Sequence, residues 1–281
     1  MKKIIILFLF VSNFLWACSI SKMPPSQVDT LEVPSASMGN TIKTIVALPT
    51  AYRKEQADKR YPIVFLLHGY SGNAGSWLKD APELVRLADA YQMIFVCPDG
   101  GYHSWWWDSP LMEKYRYETF ISKELIEYID KNYNTMPQRE GRAILGLSMG
   151  GHGALYNALR HQDVFSMVGS ICGGVDIRPF PTQWDMKKHL GKYEENQDRW
   201  LAHSVMGQLS LLKNSNLQIM IDCGTDDFFL EVNRKLHQTL LAQKIAHDYT
   251  ERPGGHNAEY WGKAALFQIH ACHLWFKKLK K

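Results

Sequence analysis

A serine hydroxyl becomes a useful nucleophile when a constrained turn presents it and a base stands within hydrogen-bond reach. The pentapeptide Gly146-Leu147-Ser148-Met149-Gly150 fits the first requirement. It follows an apolar run at residues 143–147 and opens a helical pattern at residues 150–161. Strand, sharp turn and helix is the setting in which G-x-S-x-G forms a nucleophile elbow, and the flanking glycines remove bulk where the turn is tightest. Outside that setting the same letters would be a glycine-rich turn without chemistry.

The base needs an orienting acid. In enzymes built around such an elbow the chain order is serine, acid, histidine. Gly224-Thr225-Asp226-Asp227 closes the apolar run at residues 217–223, and either aspartate could be the acid. Pro253-Gly254-Gly255-His256 follows a short strand-like run at residues 248–251. Among the 11 histidines, His256 alone has both the order and the loop; His237, His247, His270 and His273 lie in helix or strand patterns. A tetrahedral intermediate also needs N–H donors for its oxyanion. The backbone N–H of Met149 is one candidate. The second comes from His68-Gly69-Tyr70-Ser71-Gly72, with Tyr70 N–H first choice and Ser71 N–H next. His68 is expected to hold this loop by hydrogen bonding.

These residues must be placed by a scaffold, and its pattern is legible. Residues 41–48 alternate polar and apolar, as a half-buried strand does. Residues 63–67 and 93–97 are continuous apolar runs, as in strands covered on both faces. Further strands are expected at 143–147, 166–171, 217–223 and 248–251, and helices at 83–91, 120–133, 150–161, 231–244 and 261–279. The alternation predicts an α/β class chain, a mostly parallel central sheet with helices on both faces, whose ligands bind beyond the carboxyl ends of the strands. With the elbow, this is the α/β-hydrolase fold. Residues 176–214, rich in Trp, Pro and charge, interrupt the alternation and are expected to form a lid-like insertion beside the site.

With 281 residues, 46% of them hydrophobic, the chain can bury one large core. A net charge of +4, with no basic block, argues against nucleic acid as a partner. The N-terminus differs from the rest. Lys2 and Lys3 precede an apolar segment running to Ala17, the pattern of an export signal and too short to span a bilayer, which takes about 20 residues. Leu15-Trp16-Ala17-Cys18 resembles the lipobox of bacterial lipoproteins, with Trp16 where that motif has a small residue. The expected organisation is a signal peptide at 1–17, a tether at 18–27 and an α/β-hydrolase domain at 28–281. Lipidation at Cys18 would anchor the exported protein in the cell envelope, its membrane contact being only the N-terminal anchor. Cys97, Cys172, Cys223 and Cys272 have no metal-site spacing and are expected as buried thiols.

Four segments together resemble one family. Leu66-Leu67-His68-Gly69-Tyr70-Ser71-Gly72-Asn73, Gly146-Leu147-Ser148-Met149-Gly150-Gly151-His152-Gly153-Ala154, Cys223-Gly224-Thr225-Asp226-Asp227-Phe228 and Gly254-Gly255-His256 look like the esterase D family. That family includes S-formylglutathione hydrolases, short-chain acyl esterases, and the feruloyl and acetyl-xylan esterases of carbohydrate esterase family one. The resemblance covers roughly residues 28–277. It implies that Asp227 is the acid, and that no cofactor and no metal take part. An exported location argues for a feruloyl or acetyl ester on plant polysaccharide and against a cytosolic thiol ester. The alternatives are a general short-chain esterase, acyl transfer to an alcohol, and a sugar-binding lipoprotein on an inactive hydrolase scaffold. Trp105, Trp106, Trp107 and Asp108, which follow the run at 93–97, and Trp184 in the insertion are expected to contact substrate, aromatic faces being suited to sugar rings or hydroxycinnamoyl groups. Trp200 and Asp99 are further candidates.

Overall fold

The computed structural model describes residues 27–279. The export signal, Cys18 and the tether up to residue 26 lie outside the described residues. The strands are β1 (Gln27–Ser35), β2 (Asn40–Leu48), β3 (Ile63–Leu67), β4 (Ile94–Pro98), β5 (Arg142–Leu147), β6 (Met167–Ile171), β7 (Gln218–Gly224) and β8 (Asp248–Arg252). They form one sheet in the order β1-β2-β4-β3-β5-β6-β7-β8. β1, β2 and β4 pair antiparallel at one edge, and all pairings from β4 to β8 are parallel. This is the α/β-hydrolase arrangement.

Burial explains which strands the sequence reveals. Every residue of β3, β4 and β5 is buried, which is why each reads as an apolar run, broken in β5 only by its first residue, Arg142. β1 has no such signal. It is a polar edge strand in which only Val33 and Ser35 are buried, and its pairing with β2 rather than its composition makes it a strand.

The helices are α1 (Ser76–Asp80), α2 (Leu84–Tyr91), α3 (Tyr117–Thr119), α4 (Leu125–Asn132), α5 (Met149–Arg160), α6 (Met186–Leu190), α7 (Gln197–Ala202), α8 (Leu230–Ala242) and α9 (Ala258–Lys278). The expected helix at 120–133 is thus a composite, with a π-helical turn, Phe120–Glu124, between α3 and α4. Two apolar clusters cover the two faces of the sheet. One draws on α4, α5 and α8, the other on α2 and α9. Among the described residues no helix is long and apolar enough to cross a membrane.

Two features of this scaffold position the site. The chain runs from β3 to β4 on one side and then to β5 on the other, so the strand order reverses between β3 and β5 and opens a crevice at their carboxyl ends. The insertion stands beside that crevice as a packed wall. Met186, Leu190 and Trp200 are fully buried within it, and the Trp200 indole donates to Gly191 O at 3.1 Å.

Candidate active site

β5 ends at Leu147 and α5 begins at Met149, which leaves one residue to reverse the chain. That residue, Ser148, has φ 55° and ψ −120°, a conformation costing an L-residue about 1–3 kcal/mol. Neighbouring backbone makes the turn possible. A Cβ on Gly146 would lie 2.1 Å from Gly150 O, and one on Gly150 would lie 2.0 Å from Leu67 O, so both positions exclude any side chain. Ser148 N donates to Ile171 O at 2.9 Å, and His152 N donates to Ser148 O at 3.0 Å, fixing the turn from both ends.

Ser148 Oγ lies 2.8 Å from His256 Nε2, and His256 Nδ1 lies 2.7 Å from Asp227 Oδ2. A carboxylate only accepts, so Nδ1 carries the proton and Nε2 is free to accept from the serine. Asp227 is held in turn: its Oδ1 accepts from Phe229 N at 2.8 Å, and its side chain is fully buried. Asp226 is exposed, with its own N–H donated to Gly254 O at 2.9 Å. Of the two aspartates, Asp227 is therefore the one that meets His256. Burial by itself pushes the His256 pKa down; the Asp227 carboxylate, followed by the Cys172 sulfur, outweighs it and leaves the pKa raised.

The loop after β3 lies against the serine. A Cβ on Gly69 would come within 3.2 Å of Ser148 Cβ. His68, fully buried, ties this loop to the one after β4: its Nδ1 donates to Gly69 O at 2.8 Å and its Nε2 accepts from Gly100 N at 2.7 Å. Ser71 N donates to Tyr102 O at 2.8 Å, so that N–H is committed elsewhere. Among the described residues no protein acceptor takes Tyr70 N–H or Met149 N–H, the latter in the first turn of α5. The Tyr70 phenol donates to Asp185 Oδ2 at 2.9 Å, tying this loop to the insertion. Asp185 also pairs with Lys188 at 3.0 Å.

The aromatic expectation is corrected in part. Trp105, Trp106 and Trp107 are at most 1% exposed and do not line the cleft. Trp106 fills a slot between glycines: a Cβ on Gly100 or Gly153 would lie 2.3 or 2.5 Å from its ring. Its indole N–H donates to His68 O at 3.2 Å. The Trp107 indole donates to His152 Nε2 at 2.9 Å, and the Trp105 indole to Trp184 O at 3.2 Å. The three rings support the wall from behind. Asp108 also works structurally, accepting from Thr119 N and Oγ1 at 2.9 and 2.6 Å. Asp99 accepts from Gly101 N at 2.8 Å, which is turn duty.

Trp184 does reach the cleft, a space of about 460 Å³ lined also by Tyr70, Ser148, Phe228, His256 and Trp261. Trp184 stacks on Phe228, with ring centroids 5.6 Å apart and planes 22° apart. Phe228 is 52% exposed and its ring lies 4.2 Å from that of His256. Trp261 meets the imidazole edgewise at 5.0 Å. Ser76, Lys79 and Asp80 add a polar stretch to the same cleft. Phe228 and Trp261 were not anticipated as lining residues. The available signal was position: Phe228 follows Asp227 directly, and Trp261 lies in the first turn of the helix after His256.

The fold and this site define a carboxylic ester hydrolase of the α/β-hydrolase type. Residues 35–273 match the family model described as "Putative esterase", and the chain belongs to that family. It is 28% identical over 230 residues to an acetyl esterase of Caldicellulosiruptor saccharolyticus, spanning 75% of this chain and 83% of that protein. A solved ferulic acid esterase is 27% identical with a TM-score of 0.72, covering 89% of this chain and 98% of its own. A fluorophosphonate-binding serine hydrolase of Staphylococcus aureus shares the fold at a TM-score of 0.77 and 19% identity, covering 89% of this chain and 99% of its own. Several other curated relatives are matched over about half their length, 51% for a Mycobacterium tuberculosis esterase and 46% for a mouse S-formylglutathione hydrolase.

Proposed function

We propose that the protein cleaves short acyl or hydroxycinnamoyl esters through an acyl-enzyme on Ser148, with acetyl or feruloyl groups of plant polysaccharide as its substrates. The observation that carries this reading is the hydrogen-bonded chain Asp227–His256–Ser148 opening into a cleft walled by Trp184, Phe228 and Trp261. His256 Nε2 takes the Ser148 proton as Oγ attacks the ester carbonyl. Asp227 holds the ring in the right tautomer and stabilises the imidazolium. Met149 N–H and Tyr70 N–H receive the oxyanion. The imidazolium then protonates the leaving alkoxide, and water, activated by the same nitrogen, releases the acid. The aromatic wall suits a flat acyl group, and the stretch of Ser76, Lys79 and Asp80 suits hydroxyl-bearing alcohols. The acetyl esterase and ferulic acid esterase relatives support the same chemistry.

Ser148→Ala is expected to reduce p-nitrophenyl acetate turnover by about 10⁴-fold or more while the thermal unfolding midpoint holds or rises. Near-normal turnover in that variant would refute the mechanism. Methyl ferulate, acetylated xylan and p-nitrophenyl butyrate compared on the wild type test the substrate; equal kcat/KM on all three would favour a general short-chain esterase.

The polysaccharide reading goes with export. Lys2, Lys3, the apolar run to Ala17 and Cys18 support cleavage before Cys18 and lipidation of its new N-terminus. Metabolic labelling with a palmitate analogue should mark the protein, and Cys18→Ala should abolish the label and release the protein from membranes. Labelling that survives that substitution would contradict the anchor.

A further inference from the structure

One buried group beside the site touches the imidazole but takes no step in the proposed ester chemistry. Cys172 follows β6 directly and is fully buried. Its φ is 47°, the left-handed region where a side chain costs about 1–3 kcal/mol and glycine would be relaxed. Its N–H donates to Asp222 O at 2.7 Å, which anchors it at the carboxyl end of the sheet behind the imidazole. There its sulfur, a carboxylate oxygen of Asp227 and a ring nitrogen of His256 all lie within 4.8 Å of one another.

Thiolate, carboxylate and imidazole are the three donor types that zinc accepts, at about 2.3 Å for sulfur and 2.0–2.2 Å for nitrogen and oxygen. Tetrahedral bonds of those lengths put donors about 3.3–3.6 Å apart. The three side chains therefore need to close by little more than an ångström. His256 is the member that borders the cleft, and its loop carries Gly254 and Gly255, so an ion can enter past the ring.

We propose that Cys172, Asp227 and His256 form an inhibitory site for a thiophilic divalent cation, Zn²⁺ or Cd²⁺. The ion displaces the Cys172 thiol proton to solvent and binds the sulfur as thiolate. It takes His256 through Nδ1, the nitrogen that faces Asp227, and the imidazole proton moves to Nε2. A protonated Nε2 donates to Ser148 Oγ and can no longer accept from it. The inhibitory half of this inference rests on His256 as the base; the binding half does not.

The test is a Cd²⁺ titration of the full chain, followed both by thiolate-to-cadmium charge-transfer absorption in the ultraviolet and by p-nitrophenyl acetate turnover. The wild type should gain the absorption at one equivalent and lose about 100-fold or more of its turnover, the contribution of a general base, with recovery on adding a chelator. Cys172→Ser, measured against its own metal-free rate, should lose that absorption and resist the ion. Cys172→Gly, which also relieves the left-handed backbone, should behave alike and guards against misfolding of the serine variant. Ser148→Ala should keep the absorption, so binding is read where turnover is absent. Absorption missing in the wild type, undiminished in both Cys172 variants, or present without loss of turnover overturns the site. Substantial turnover by Ser148→Ala would refute the nucleophile and leave the absorption comparison standing.

Discussion

Ser148, His256 and Asp227 are separated by 108 and 29 residues in sequence and meet within 2.8 Å in space. Their chemistry makes a pH prediction with a definite sign. In the proposed mechanism His256 must be neutral to accept the serine proton. Its pKa is raised from the ordinary value of about 6.5, because Asp227, with Cys172 adding to it, outweighs the opposing effect of burial. The kcat/KM of the wild type should therefore fall on the acid side with an apparent pKa above about 6.5. In Asp227→Asn the countercharge is gone, so that limb should move to lower pH while kcat falls by about 10⁴-fold. An acid limb that stays in place in Asp227→Asn would show that His256 is not the group being titrated. These three residues were legible because order along the chain and position just after a strand are properties of sequence. The choice between Asp226 and Asp227 needed the family resemblance. The Trp105–Trp106–Trp107 run was misread for a physical reason. Trp105 and Trp106 have φ of 53° and 63°, and these left-handed turns direct successive rings inward, which no periodicity announces.

At the scale of elements, the site is an elbow, a loop and a wall joined by a few contacts. The wall meets the loop after β3 through Tyr70 Oη and Asp185, and the loop after β4 through His103 Nδ1 and His189 Nε2 at 2.9 Å. Trp184 and Asp185 both have positive φ, 49° and 58°, so the segment that brings one ring to the cleft and one carboxylate to Tyr70 is itself strained. Asp185→Ala should loosen the loop that carries the Tyr70 N–H. The expected result is a drop in kcat of up to about tenfold with little change in KM, smaller than the 10²–10³-fold cost of losing an oxyanion donor outright. A rise in KM at constant kcat would instead make Asp185 a ground-state binding residue. From sequence the insertion was visible as an interruption at 176–214. Its packing was not, because Met186, Leu190 and Trp200 join the main apolar cluster from short helices that leave no long amphipathic pattern.

For the molecule as a whole, the sheet is the instrument that assembles the site. Reversal of strand order between β3 and β5 places the Gly69–Tyr70 loop beside Ser148, while β7 and β8 deliver Asp227 and His256 from the same edge. The parallel centre was legible because burial on both faces forces continuous apolar strands; the polar edge strand β1 was not, since solvent covers most of it. The central claim is that this assembly activates one serine, and intact-mass analysis after exposure to an alkyl fluorophosphonate measures it directly. The wild type should carry one phosphonyl adduct per chain, located on the peptide containing Ser148 and absent from Ser148→Ala. An unlabelled wild type, or an adduct that persists in Ser148→Ala, would contradict it.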